Sequence, residues 1–214
     1  MGRGACDATL VHTRPMSYEE PRYATLHRSG NIAYRQYEPT LIAETVIEAS
    51  SSFDAAGNEG FRRLFRYIAG GNTSQSRIAM TVPVSQERQG EKIAMTVPVQ
   101  QVAAATGWRV AFMLPGHYTV DTAPVPADPR VRVAAVPGRL VAVRRYSGRW
   151  TESNYRAHRD ELLAALATAG IATCGEPKLS RYNGPLTLPF LRRNEVSVEI
   201  DRLPGAGRGD IARG

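Results

Sequence analysis

The sequence Ile-Ala-Met-Thr-Val-Pro-Val occurs twice, at residues 78–84 and 93–99. Both copies alternate large apolar residues with small or polar ones, which is the period of a strand buried on one face. Residues 85–92 between the copies are polar and suit a connection. We therefore predict an antiparallel hairpin whose bulky face carries Met80 and Met95.

Hydrophobic periodicity and turn residues predict eight further strands. These strands cover residues 23–28, 32–37, 41–49, 108–114, 131–136, 140–145, 177–182 and 195–200. Two helices are predicted from apolar residues at helical spacing. The first is capped by Ser51 or Ser52 and stops at Gly70-Gly71, and the second runs from Thr151 to Gly170.

The order of these elements repeats within the chain. A strand at 41–49 followed by a helix and two strands is echoed by a strand at 140–145, a helix and two strands. We predict an α+β fold, a distorted antiparallel β-barrel built from two pseudo-symmetric βαββ-like halves with two α-helices packed on it. A groove between a helix and the sheet is then the natural place for a ligand.

The length and composition of the chain fit one globular domain. The chain has 214 residues and a formal charge of +7. We expect flexible tails at 1–17 and 202–214, with the domain at 18–201, and Met16 is an alternative start. Two cysteines argue against a structural disulfide and for the reducing cytoplasm. Dispersed arginines and few aromatics argue against nucleic acid, and no segment is apolar enough for a membrane span.

Four segments in register resemble the SOUL heme-binding protein family. They are the doubled heptapeptide, residues 145–151 (RYSGRWT), residues 192–196 (RRNEV) and the surrounding stretch 175–200. The resemblance covers about residues 18–201 and implies a twisted barrel of two βαββ-like halves. It also implies that heme or an iron-free porphyrin binds in a groove near the first helix, with weak or absent axial ligation in many members.

When the family's residues are matched to this sequence, the resemblance implies that the groove lies along the first helix. Phe61, Leu64, Phe65 and Ile68 would meet the macrocycle, and Arg62, Arg63 or Arg66 would meet a propionate. The chain has Phe65-Arg66 where well-known members place methionine and lysine. Thr187 stands where those members carry a further lysine, which removes a propionate contact there.

Residues able to ligate iron are few. Among the histidines, which are His12, His27, His117 and His158, the best candidate is His158, at the edge of the apolar face of the second helix. Met80 and Met95 are further candidates for ligand contact, although methionine in a strand more often fills the core. A hydrogen-bonded structural role is the commoner fate of a lone histidine.

Several other polar residues are expected to have structural and not catalytic roles. Arg192 and Arg193 with Glu195 are expected to form a structural ion pair, and Tyr182 and Trp150 to pack with their polar atoms satisfied. The chain lacks the G-x-S-x-G, P-loop, H-E-x-x-H and C-x-x-C motifs, so we predict a binding protein and not an enzyme.

Two alternatives stay open. One is an effector-binding domain of the gyrase-inhibitor-like type, whose fold the family resembles, which would receive amphipathic or cationic molecules through a buried carboxylate such as Glu195. The other is a hydrolase that uses the same cavity, for which the sequence offers no nucleophile–base pair.

Overall fold

A computed structural model describes residues 18–48, 52–74, 90–105 and 107–205. Within these ranges the chain forms helices α1 (Phe53–Ile68) and α2 (Glu152–Thr168) and a short 3-10 helix at Pro189–Leu191. The strands are β1 Tyr23–Ser29, β2 Ile32–Tyr37, β3 Thr40–Glu48, β4 Asn72–Thr73, β5 Val99–Ala104, β6 Gly107–Met113, β7 Val125–Pro126, β8 Val131–Val136, β9 Arg139–Tyr146, β10 Thr173–Arg181 and β11 Asn194–Ile200.

Nine of these strands form one antiparallel sheet that curls into a half-barrel, in the order β1-β2-β9-β11-β10-β5-β6-β3-β8. The sheet contains the predicted duplication. The first half is β3-α1-β5-β6, and in it β3 pairs with β6. The second half is β9-α2-β10-β11, and in it β9 pairs with β11 in the same way. Pairing of β5 with β10 joins the halves. The predicted α+β fold with two helices is confirmed.

Side-chain caps set the starts of both helices. The Ser52 hydroxyl accepts a hydrogen bond from the backbone N–H of Ala55, and Thr151 does the same for Asn154, both at 3.3 Å. Each cap satisfies an N–H group that has no partner inside the helix. Ser52 is thus one of the two caps expected for α1, and Thr151 is the start expected for α2. None of the helices in the described ranges is long and apolar enough to cross a membrane.

The repeated heptapeptide does not form the predicted hairpin where the structure describes it. The first copy, with Met80, lies outside the described residues. In the second copy, residues 93–98 are not a strand, and β5 begins only at Val99. The backbone N–H of Ile93 donates to the carbonyl of Ile68 at the end of α1 (2.8 Å), not to a neighbouring strand. The hairpin that completes the first half is β5–β6.

The helices pack on one face of the sheet and create two hydrophobic clusters. The α1 cluster is built around Leu64, Val110 and Phe112, and the α2 cluster around Leu162 and Val196. The two clusters meet at the start of α1. There Phe53 stacks on Tyr155 of α2, with ring centroids 5.5 Å apart, and meets the edge of Trp108 at 5.2 Å.

The closest approach of α1 to the sheet depends on Gly60. A Cβ atom built at this position would lie 2.5 Å from Cγ2 of Val110, which is fully buried. Interiors are packed too densely for Val110 to move aside freely. Glycine is therefore needed here for the absence of a side chain.

We expect Gly60→Ala to lower the free energy of unfolding by about 1–2 kcal/mol. Alanine favours a helix over glycine by up to about 1 kcal/mol, but overlap with Val110 costs about 1–3 kcal/mol. In a Val110→Gly background the overlapping Cβ, Cγ1 and Cγ2 atoms of residue 110 are absent, so the same substitution should be neutral or stabilising. Urea unfolding of the four proteins measures the coupling. An equal penalty in both backgrounds would contradict this account of Gly60.

Candidate ligand-binding site

The outer edge of α1 exposes two aromatic rings. Phe61 is half-buried and Phe65 is 47% exposed, and their rings are nearly parallel with centroids 6.0 Å apart. Residues four apart lie on the same side of a helix. The pair therefore forms a flat apolar strip at the border between the buried and solvent-facing sides.

Two arginines form a second row beside this strip. Arg62 and Arg66 are exposed and are also four residues apart. Arg62 forms an ion pair with Glu59 at 2.8 Å, whereas the described residues give Arg66 no ion pair. The Arg63 side chain is only 10% exposed and donates to the Thr45 hydroxyl at 2.9 Å, which makes it structural. Arg66 is therefore the cation of α1 most available to an acidic ligand.

The other predicted contacts of this site lie beneath its surface. Leu64 and Ile68 are buried in the α1 cluster, where they face the sheet. Met95 is half-buried and packs against the same cluster, as Phe61 does. These residues support the strip from below, and direct contact with a ligand stays a prediction for them.

The structure does not bring His158 to the α1 strip. It lies on α2, in the other half of the fold, where its ring packs against Tyr146 at 4.2 Å. Its Nδ1 accepts a hydrogen bond from Arg144 at 3.3 Å. Burial lowers the pKa of His158, and the charge of Arg144 lowers it further. The geometry agrees with a structural role in the α2 half.

The remaining metal-ligand candidates are scattered. His27 and His117 are exposed, and His12 lies outside the described residues. In the described ranges, no three His, Cys, Asp or Glu side chains form a cluster that could hold a metal ion. Heme iron takes only one or two axial protein ligands, so axial ligation does not need such a cluster and stays a prediction for this chain.

The most elaborate polar cluster surrounds Glu195 on the face of the sheet opposite the helices. Arg35 donates to both Glu195 carboxylate oxygens, at 2.9 and 3.2 Å, and Arg193 donates twice to Oε1 at 3.1 Å. The Tyr182 hydroxyl donates to Oε2 at 2.9 Å. Arg193 also pairs with Glu20 at 3.0 Å. The predicted ion pair with Glu195 is confirmed for Arg193, whereas Arg192 donates to backbone carbonyls instead.

Charge keeps Glu195 ionised despite its burial. Only 1% of the residue is exposed, and burial alone would raise its pKa. The hydrogen bond and charge of Arg35 and the charge of Arg193 outweigh burial and hold the pKa of Glu195 below its ordinary value. Sequence reasoning missed Arg35, which lies 160 positions from its partner. The only hint was an arginine inside the apolar strand β2.

The same face holds a cleft of about 660 Å³ between β3, β6 and β10. Lys178 and Arg139 both reach Glu199 in this cleft, at 2.9 and 3.4 Å. Arg109 lies 3.6 Å from Glu44. Burial lowers the pKa of Lys178, and the charge of Arg139 adds to this effect. The charges of the cleft largely neutralise one another, so it offers less to an acidic apolar ligand than the α1 strip.

The family comparison and the sequence comparison point to the same family. Residues 18–199 match the SOUL heme-binding protein family. Heme-binding protein 1 of Xenopus laevis is 26% identical over 76% of this chain and 80% of its own length. That of Mus musculus is 26% identical over 71% and 75%. The EcmrR C-terminal domain shares the fold at a TM-score of 0.55, with 10% identity, covering 80% of this chain and 98% of that domain.

Loss of the Glu195 charge should destabilise the protein strongly. Glu195→Gln leaves Arg35 buried beside a neutral group, and breaking a buried pair in this way costs about 3–5 kcal/mol. Glu199→Gln is the matched control, because that side chain is 34% exposed and its pairs are partly in water. It should cost about 1 kcal/mol or less. Equal losses in urea unfolding would show that burial does not strengthen the Glu195 cluster.

The same cluster predicts a pH dependence. Because the folded-state pKa of Glu195 is lowered, its contribution is present above the unfolded value of 4.5 and is lost as pH falls through the folded value. The difference in unfolding free energy between wild type and Glu195→Gln should therefore shrink as pH falls below 4.5. Urea unfolding at a series of acidic pH values measures this difference. A gap that is constant with pH would contradict the assignment.

Proposed function

Because the chain belongs to the SOUL heme-binding protein family, we propose that it binds heme or a related tetrapyrrole against the exposed edge of α1. The observation that carries this proposal is the stacked pair Phe61–Phe65 beside the row Arg62–Arg66. A tetrapyrrole is a flat apolar disc with carboxylates at one edge. An aromatic strip bordered by guanidinium groups complements both features.

The expected strength of these contacts is moderate. Burying a fully exposed phenylalanine side chain contributes about 1.5–3 kcal/mol, and covering Phe65, which is 47% exposed, contributes about half of that. A guanidinium–carboxylate contact adds about 1.5–3 kcal/mol when it is sheltered from water. Contacts of this strength at an open edge suit reversible binding, which a heme carrier, a heme buffer and a heme sensor all require.

The residues of this chain fit the macrocycle better than they fit the iron. A bound heme would supply redox-active iron, but His158 lies in the other half of the fold. Met95 packs against the α1 cluster, as Phe61 of the strip does. We propose that apolar and carboxylate contacts dominate binding, so that iron contributes little.

The alternative of effector binding through Glu195 has less support. Both carboxylate oxygens of Glu195 accept hydrogen bonds from arginines, and the side chain is 2% exposed. A cationic ligand would have to displace Arg35 or Arg193 from a buried pair. The likeness to EcmrR is one of fold alone.

Hemin titration followed by its Soret band tests the α1 site. Phe65→Ala combined with Arg66→Ala should weaken hemin binding about tenfold or more, because it removes one apolar and one charged contact. The matched control is Leu26→Ala with Arg28→Ala. It removes one apolar residue of similar exposure, 51%, and one exposed arginine from the edge strand β1. The control should bind hemin as the wild type does.

Titration with iron-free protoporphyrin separates macrocycle contacts from iron ligation. We expect similar affinities for hemin and for the porphyrin, since the strip contacts the ring and its carboxylates. A strong preference for hemin would instead point to an axial ligand. Equal weakening by the β1 control and the α1 variant would refute the proposed position of the site.

A further inference from the structure

The loop between β10 and β11 exposes four large apolar side chains. In this segment, residues 183–193 and here called the apolar loop, Leu186 is 97% exposed, Leu188 55%, Phe190 70% and Leu191 64%. Single exposed apolar residues are common on protein surfaces, but a contiguous group marks an interaction site. The group is remote in sequence from the α1 strip.

The apolar loop is held in shape by polar contacts. The Arg192 guanidinium donates to the carbonyls of Thr187 at 2.8 Å and Pro185 at 3.0 Å. The backbone N–H of Gly148 donates to the carbonyl of Pro189 at 2.9 Å. These bonds fix the backbone from inside while the apolar side chains point outward. The exposure is therefore a property of a braced loop.

Basic side chains outnumber acidic ones around the apolar loop, whose Arg193 pairs with Glu20 and Glu195. Residues 131–151 and 177–194 contain no aspartate or glutamate. The Gly148–Pro189 bond joins these two stretches, and the Arg192 guanidinium lies 4.1 Å from the centre of the Trp150 ring. Arg145 and Arg149 are exposed, and within the described part of the chain neither forms an ion pair. A cationic rim therefore borders the protruding apolar groups.

We propose that the apolar loop docks this protein on the surface of anionic phospholipid membranes. Apolar side chains that protrude from a braced loop can enter the headgroup boundary without a change of fold. Arginines at the rim meet lipid phosphate and carboxylate groups, and each contributes about 1 kcal/mol near an anionic surface, or about a fivefold change in binding. The proposal is independent of tetrapyrrole binding at α1.

Co-sedimentation with vesicles tests this docking surface. Wild-type protein should sediment with vesicles of phosphatidylcholine and phosphatidylserine, and much less with phosphatidylcholine alone. Leu186→Ser with Phe190→Ser should lower the partition coefficient about tenfold or more, since it removes two protruding apolar groups. Arg145→Gln with Arg149→Gln should lower it about 25-fold on the anionic vesicles and have little effect on the neutral ones.

The matched control is Val120→Ser with Val125→Ser. These residues are 56% and 49% exposed but belong to the connection between β6 and β8. The control should sediment as the wild type does, and circular dichroism checks that each variant is folded. A loss in the control equal to that in the loop variant would overturn the proposal.

A second measurement covers the case in which the serine variant does not fold. Phe190→Trp should show a blue shift of its emission when anionic vesicles are added, because the ring enters an apolar layer. An unchanged emission, or no sedimentation of the wild type, would overturn the proposal. So would a wild-type dimer that becomes a monomer in the serine variant without any vesicle binding, since a second copy of the chain would then cover the loop.

Discussion

The carboxylate of Glu195 joins parts of the chain that are distant in sequence. Arg35 reaches it from β2, Tyr182 from the end of β10, and Arg193 from the start of β11, while Arg193 also holds Glu20. These contacts stabilise the observed register of β2 against β9. A shift by one residue would turn Arg35 toward the helix face and bury its charge among apolar side chains. The position of the β1–β2 hairpin therefore depends on this cluster.

Duplication of the βαββ unit explains the distribution of polarity. Both helices cover the same face of the sheet, so the apolar side of every central strand is buried under them. The side chains that alternate with these apolar ones point to the opposite face and include many polar residues. They form the Glu195 cluster and line the cleft around Glu199. Because the charged side chains on this face pair with one another, they leave few free charges for a ligand. Exposed apolar groups lie beside arginines that form no ion pair with a described residue at the α1 strip (Arg66) and at the apolar loop (Arg145 and Arg149).

These two surfaces combine the same chemistry with different shapes. At α1, two stacked rings form a flat strip with Arg66 beside it, which suits a planar acid. At the apolar loop, four side chains protrude beyond a braced backbone, which suits entry into a lipid layer. A membrane-docked protein would hold its α1 strip near a source of apolar ligands. The two proposals are compatible, and each is tested by residues that the other does not involve.

The sequence by itself determined the helices, most strands and the duplicated order, while the family resemblance directed attention to α1. Local signals are sufficient for these features, because helical spacing, caps such as Ser52 and turn residues act over a few positions. Only the tertiary structure decided the path of the second heptapeptide, whose Ile93 bonds to the end of α1, and the partner of Glu195. It also placed His158 away from the strip and left Leu186 exposed. Such outcomes depend on contacts between residues far apart in the chain, which alternation and composition do not encode.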